Sequence, residues 1–334
     1  MAVSGLARGS APGRHEKVPT GSCWAIVLAA GEGRRLSPLT TDGDGREVPK
    51  QFCSIPGEST LLAATLRRAG RVVPRQQIVT IVAEEHREWW EPILGGESAD
   101  NVLVEPVLRG TAAGVLLPLL TILRRDPEAT ILLFPSDHGV EAESTLEVAI
   151  RQALRSAESS LGRIVLLGMR AEAPDPDLGW IQRGRERSGD VRRVLRFHEK
   201  PDLRTAARLY RSHALWNSMI LAAKANSLVR LFGLTSPELL ASFYLAFERG
   251  MGRRQIAELY HWIPSRDFST TVLEPSAPSL WVLSVPPCGW SDLGTEQRLR
   301  RFVLERRNRL APPPASPLIL VPAPAHRGRH LATH

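Results

Sequence analysis

An α/β domain with a mostly parallel central sheet flanked by helices is the fold this sequence predicts. Three observations carry that prediction. Apolar runs of strand length alternate with amphipathic segments of helix length through residues 23–169. Several of those runs are apolar at every position, as strands covered on both faces are. Glycine-rich or polar clusters then follow the strands directly, where open sheets of this kind place their ligands.

The elements can be justified in order. CWAIVLAA (23–30) is a short, fully apolar run ending at Gly31 and reads as a buried parallel strand. Residues 59–71 carry Leu61, Leu62 and Leu66 on one side, a helix pattern. QIVTIVA (77–83) reads as a strand, HREWWEPIL (86–94) as a short helix and NVLVEP (101–106) as a strand. TAAGVLLPLLTILRR (111–125) has helix periodicity, with Pro118 the place for a kink. TILLFPSDH (130–138) is a strand ending in a polar cluster, followed by a helix over 144–157 and a strand over 163–169. This order predicts right-handed crossovers. The second half is less regular. It yields a strand over 193–201, a helix over 202–212, a strand over 281–286 and a final helix from about Thr295.

Composition bounds the function. At 43% hydrophobic and 23% charged over 334 residues, the chain has the make-up of a soluble globular protein. No apolar run approaches the length of a membrane span, and residues 1–22 lack the apolar centre of a secretory signal. Cys23, Cys53 and Cys288 are too few and too scattered for a disulfide framework or a zinc site, so a cytoplasmic location is expected. The formal charge is +8, yet only Lys17, Lys50, Lys200 and Lys224 among the 43 basic residues are lysine. No basic run is interleaved with stacking aromatics, which argues against a nucleic-acid partner, and no membrane partner is expected. Residues 1–22 are read as a disordered leader, 23–310 as one domain and 311–334 as a Pro-rich disordered tail.

Four strand-to-loop junctions carry candidate chemistry. In LAAGEGRRLSPLT (28–40), Gly31 and Gly33 let the backbone approach a phosphate and Arg34 and Arg35 supply charge, although taken alone the segment reads better as a tight turn with two surface arginines. VPKQF (48–52) offers Lys50, which alone is a surface lysine. FPSDH (134–138) places Asp137 just past an apolar strand, where a carboxylate can hold a hard cation such as Mg²⁺ or cap the next helix. The last is a pair, FHEKP (197–201) and GWSDLGT (289–295). Glu199 and Lys200 would point to opposite faces of a strand, and Asp292 is a second cation ligand or a turn residue.

Taken together in this order, the motifs resemble the sugar-phosphate nucleotidyltransferases, and within them the bacterial mannose-1-phosphate guanylyltransferases. The signature G-x-G-x-R-L…P-L is matched by Gly31, Gly33, Arg35, Leu36, Pro38 and Leu39, and P-K-Q-F by Pro49–Phe52. Glu105, Pro106, Arg109, Thr111 and Ala112 match E-P…R-x-T-A, and Pro135–His138 match P-[AS]-D-H. E-K-P-D is Glu199–Asp202, W-N-S is Trp216–Ser218 and G-W-S-D-x-G is Gly289–Gly294. The resemblance covers roughly residues 24–300 and implies a Rossmann-like nucleotidyltransferase fold without a C-terminal β-helix domain.

It also implies a reaction: GTP and mannose-1-phosphate give GDP-mannose and pyrophosphate. Another sugar and base, glucose-1-phosphate with UTP or dTTP, and a non-catalytic nucleotide-sugar-binding paralogue are the alternatives. By resemblance, Asp137 and Asp292 hold Mg²⁺. Arg35 and the Gly31–Gly33 backbone hold the β- and γ-phosphates, Lys50 neutralises charge near the α-phosphorus, and Lys200 binds the sugar phosphate. Glu199 accepts hydrogen bonds from sugar hydroxyls with Asn217 nearby, and Gly179 is a further substrate-binding candidate. Leu28, Ala29, Ala30 and Gly31, with Arg109, Gly110 and Thr111, frame the base. A homodimer is compatible with the resemblance. Several positions depart from the family pattern: Gly110 stands for asparagine, Met219 for glycine and Ser37 for tryptophan.

Overall fold

The computed structural model describes residues 22–309, except positions 32, 34, 35, 37–39, 42–44, 56, 57, 161 and 251, together with 321 and 322. The strands are β1 (Cys23–Ala29), β2 (Cys53–Ser54), β3 (Ile78–Ala83), β4 (Val102–Glu105), β5 (Thr130–Pro135), β6 (Ile164–Arg170), β7 (Trp180–Ser188), β8 (Val191–His198), β9 (Leu215–Lys224), β10 (Leu280–Ser284) and β11 (Val321–Pro322). The helices are α1 (Leu61–Gly70), α2 (Arg87–Leu94), α3 (Gly110–Arg125), α4 (Glu143–Glu158), α5 (Leu203–Arg211), α6 (Ala225–Thr235), α7 (Pro237–Glu248), α8 (Arg253–Trp262) and α9 (Glu296–Arg309).

Nine strands form one sheet in the order β4-β3-β1-β5-β9-β6-β10-β8-β7. The β4-β3-β1-β5 block is parallel throughout, β9 runs antiparallel to β5 and β6, and β10 is again parallel to β6. Helices cover both faces, and the strand period of two sorts the apolar side chains between them. Ala25, Val27, Leu132 and Phe134 join the core under α1, α4 and α9, whereas Trp24, Ile26, Ile131 and Leu133 join the core under α3, α6 and α7. This double coverage explains the uninterrupted apolar runs of β1, β3 and β5.

The expected α/β class with a central sheet flanked by helices holds, but the sheet is mixed, with β10–β8 and β8–β7 also antiparallel, and the first-half elements fall within a few residues of their expected bounds. The second half is far more regular than the sequence suggested. It holds α6, α7 and α8 in succession, a π-helical turn over Ser269–Leu273, and β7 and β9. The strand expected over 193–201 ends at His198, so Glu199 and Lys200 lie in a bend and not on opposite faces of a strand. Lys200 has a φ of 44°, which strand geometry excludes. Of the segment 311–334, Val321–Pro322 is described and pairs antiparallel with β2.

Register places the loops. Leu28 pairs with Pro135, so the loops after β1 and β5 leave the same edge side by side. Gly168 of β6 pairs with both Asn217 at the start of antiparallel β9 and Ser284 at the end of β10. The carboxyl edge of the parallel strands therefore gathers residues 29–31, 33, 136–139, 215–217 and 285–294.

Candidate active site

Lys50 is the hub of that edge. It begins a short 3₁₀ turn (Lys50–Phe52) and is only 5% exposed. Its Nζ lies 2.6 Å from Asp137 Oδ2 and donates to the Asp292 carbonyl at 2.6 Å. Three residues separated by up to 242 positions thus meet at one ammonium. Gly33, with a φ of 64°, backs against the lysine: a Cβ there would stand 2.9 Å from Lys50 N. Gln51 donates to the carbonyls of Ala29 (3.0 Å) and Gly31 (2.8 Å), pinning the first glycine loop to the lysine turn. Arg35, like Arg34, lies outside the described residues.

Asp137 does not cap the next helix, since the N-cap of α4 is Ala142. Burial pushes its carboxyl upward, but Lys50 and His138 outweigh that and hold it below the usual carboxylate range. His138 is the reverse case. Burial drops its imidazole to about 4, against the pull of Asp137. The ring is therefore neutral at pH 7. Trp290 Nε1 donates to its Nδ1 at 3.2 Å, so the ring proton sits on Nε2, 3.5 Å from Asp137 Oδ1. The two carboxylate loops are laced together: Gly139 N donates to Ser291 O (2.9 Å) and Ser291 N to Gly139 O (3.0 Å).

The side chain of Asp292 faces a different cation. Arg298, in the first turns of α9, donates from Nη2 to Asp292 Oδ2 at 3.1 Å and places Nε 2.8 Å from Asp292 Oδ1. Its Nη1 contacts Asp175 Oδ2. Asp175, Asp292 and Arg298 open onto a cavity of about 170 Å³ walled by Trp216 and Trp290.

A second cluster gathers Gly179, Glu199 and Asn217. Asn217 N donates to Gly179 O at 2.8 Å, and a Cβ on Gly179 would stand 2.7 Å from Glu199 Oε2. Burial raises the Glu199 carboxyl, while Lys200 Nζ, 3.4 Å from its Oε1, works the other way. Lys200 itself is half exposed. The fourth motif residue, Asp202, is the N-cap of α5, accepting from Thr205 N at 2.6 Å. Rings bridge the two clusters: Trp180–Trp216 (6.0 Å), Trp216–Trp290 (6.4 Å) and Trp290–His138 (5.2 Å). Met219 keeps a left-handed backbone, φ 58°, at the position where the family has glycine. Its sulfur accepts from Ser269 Oγ at 3.2 Å, which engages the side chain with the π-helical turn.

Residues 109–111 are stitched to residues 266–268. Arg109 donates to the carbonyls of Tyr260 (2.6 Å) and His261 (3.2 Å), closing the end of α8. Thr111 Oγ1 donates to Asp267 Oδ2 at 2.9 Å and accepts from Phe268 N at 2.8 Å. Below them Glu105 is buried against Tyr260, whose hydroxyl donates to it at 3.0 Å, and burial raises the Glu105 carboxyl to about 7.

That value fixes a sign. Between pH 4.5 and 7 the folded chain keeps a proton that the unfolded chain has lost, so Glu105 costs stability progressively as pH rises through this window, up to about 3 kcal/mol above it. Glu105→Gln retains an acceptor for Tyr260 and removes the cost. Its melting temperature should exceed that of the unmodified chain at pH 8, with the gap closing by pH 5. A gap independent of pH would refute the ionisation argument.

Residues 24–307 match the nucleotidyl transferase family. The chain belongs to that family. Among relatives of this chain, a mannose-1-phosphate guanylyltransferase of Sinorhizobium fredii is 30% identical over 283 residues, covering 80% of this chain and 52% of the relative. The xanthan biosynthesis protein XanB of Xanthomonas campestris pv. campestris is 30% identical over 277 residues, covering 81% and 57%. The chain therefore spans about half the length of the curated relatives it matches. A crystal structure described as a mannose-1-phosphate geranyltransferase from Thermus thermophilus superimposes with a TM-score of 0.72 at 30% identity, over 84% of this chain and 79% of that one.

The nucleotidyl transferase edge brings together Lys50, Asp137, Asp292 and the Gly31–Gly33 loop, and separately Gly179, Glu199 and Asn217. Sequence reasoning assigned no role to Gln51, although it sits inside the P-K-Q-F motif, and missed Asp175 and Arg298, which no motif contains. Away from both clusters, a cavity of about 750 Å³ between α7 and α8 is lined by none of the residues singled out from the sequence. Among the described residues no helix is long and apolar enough to cross a membrane.

Proposed function

We propose that this chain transfers a guanylyl group from GTP to mannose-1-phosphate, giving GDP-mannose and pyrophosphate, in the cytoplasm and in the service of polysaccharide synthesis. The observation that carries the reading is the meeting of Lys50, Asp137 and Asp292 at the carboxyl edge, beside a glycine loop held by Gln51. The names of the Sinorhizobium and Xanthomonas relatives point to this sugar and to polysaccharide.

The chemistry asks little of acids and bases. A phosphate monoester has its second pKa near ~6, so the attacking oxygen is already charged at neutral pH. Catalysis then lies in positioning two anions and stabilising the leaving pyrophosphate. Backbone N–H groups around Gly31 and Gly33, with Arg35, receive the β- and γ-phosphates. The Lys50 ammonium, held on two oxygens, faces the α-phosphate as a fixed charge. On the other side, Glu199 accepts from sugar hydroxyls, Asn217 and Gly179 shape that pocket, and Lys200 takes the sugar phosphate. Leu28–Gly31 and Arg109–Thr111 frame the base through their backbone, since the Arg109 and Thr111 side chains are already engaged.

Asp137 and Asp292 are the residues that would hold Mg²⁺. Each offers hard carboxylate oxygens, and no aligned hydrogen bond reaches the buried Oδ1 of Asp292 among the described residues, so that oxygen suits a cation once Arg298 yields. When bound, the ion supplies charge neutralisation between the two phosphates.

Pyrophosphate release with Mg²⁺ tests the reading, scanning GTP, UTP, dTTP, ATP and CTP against mannose-1-phosphate and glucose-1-phosphate. GTP with mannose-1-phosphate should be the best pair, and Asp137→Ala should abolish turnover. A better rate with another pair would move the specificity, and no turnover with any pair would overturn the reading.

A further inference from the structure

Two carboxylates are offered to a divalent cation in the reading above, and both already carry a protein cation. Asp137 is paired with Lys50, and Asp292 is gripped by Arg298 at 2.8 and 3.1 Å. We propose that Arg298 is an internal counter-ion that competes with the divalent cation for Asp292, so that cation binding and release of the guanidinium are one exchange. The proposal rests on the assignment of Asp292 as a cation ligand.

Three features make the exchange a built one. First, Arg298 has a second acid to go to. Its Nη1 holds Asp175 while Nε and Nη2 hold Asp292, so leaving Asp292 does not strand a cation in a site where all three side chains are no more than 20% exposed. Second, the grip on Asp292 is imperfect. Nε is close to Oδ1, yet its N–H is aimed off line, and both atoms lack an aligned hydrogen bond. A fork seated squarely on the carboxylate would resist displacement more strongly. Third, space is kept for it. A Cβ on Gly294 would stand 2.8 Å from Arg298 Nη2 and closer still to Asp292 Oδ2. Asp175 is anchored through its backbone, its carbonyl accepting from Trp180 Nε1 at 2.8 Å, so the alternative partner stays in place.

Arg298 is thus a positioning residue of unusual sign: it holds Asp292 in place while lowering its affinity for the ion. A residue that merely braced Asp292 would raise that affinity. Mn²⁺ binding to the full chain, followed by electron paramagnetic resonance without nucleotide, separates the two. Arg298→Gln should bind Mn²⁺ roughly tenfold more tightly, the scale of one screened unit charge removed from beside a ligand. Arg298→Lys should fall between. Asp175→Asn, which leaves Arg298 only Asp292 to hold, should weaken binding, and Asp292→Asn should abolish the gain in the Arg298→Gln background. Circular dichroism confirms that each variant is folded, and Asp175→Asn decides the sign if Arg298→Gln is not.

Weaker or unchanged Mn²⁺ binding in folded Arg298→Gln overturns the proposal, as does a gain that survives Asp292→Asn. Pyrophosphate release by the unmodified chain, run in parallel, keeps the two levels apart. Turnover without the gain defeats the exchange alone, whereas no turnover with any substrate pair defeats the functional reading and leaves the Mn²⁺ titration to judge the exchange.

Discussion

Lys50→Ala is expected to lower kcat/KM about a thousandfold, the upper range for removing one preorganised charge from a transition state. The ammonium is nearly sealed from solvent and fixed at 2.6 Å on both the Asp137 carboxylate and the Asp292 carbonyl, so it costs no reorganisation when charge develops nearby. It also holds the two loops in register. The loss should fall on kcat more than on KM, because a fixed point charge serves the transition state above the ground state. Lys50→Arg should recover little. Gly33 backs directly on the lysine, and a planar fork cannot occupy the place of a compact ammonium between two oxygens. Steady-state kinetics of both variants decide this, and a loss of less than tenfold in Lys50→Ala would remove the lysine from the reacting centre.

The second large effect concerns folding. Gly110 stands where the resembling family carries asparagine, yet Gly110→Asn should destabilise this chain by roughly 3 kcal/mol or more, through overpacking and backbone strain together. The residue has a φ of 78°, and a Cβ would stand 2.8 Å from the Arg266 carbonyl carbon and closer still to its oxygen. That oxygen accepts from Ala112 N at 3.0 Å, and Arg266 N donates to Arg109 O at 3.0 Å, so neither side of the junction can retreat cheaply. Chemical denaturation of the variant measures the loss. A change within about 0.5 kcal/mol, the range of an ordinary surface substitution, would show that the junction relaxes.

The same junction shows what the sequence could reveal and what it could not. Buried strands and their following loops were legible because double coverage writes itself as uninterrupted apolar runs, and because a ligand edge demands glycine, proline and charge at fixed offsets. Lys50, Asp137 and Asp292 were legible singly as motif residues. Their meeting at one ammonium was not, since it depends on a register between strands more than a hundred residues apart. The helices α6–α8 escaped notice because both their faces are partly used: one packs into the core they share with α3, while Leu234, Leu245 and Trp262 remain exposed and blur the amphipathic period. Arg298 was hidden in a stretch where arginine is commonplace. Only its distance to two acids distinguishes it.

The paired hydrogen bonds between Gly139 and Ser291 have a mechanical consequence. Gly139 also lies flat on the Phe302 ring of α9, leaving no room for a Cβ, and Cys288 O receives both Glu141 N and Ala142 N. The rim that bears the two acids is therefore a single clasp with α9 as its spring plate. A backbone shift of either half therefore carries the other with it and presses on that helix.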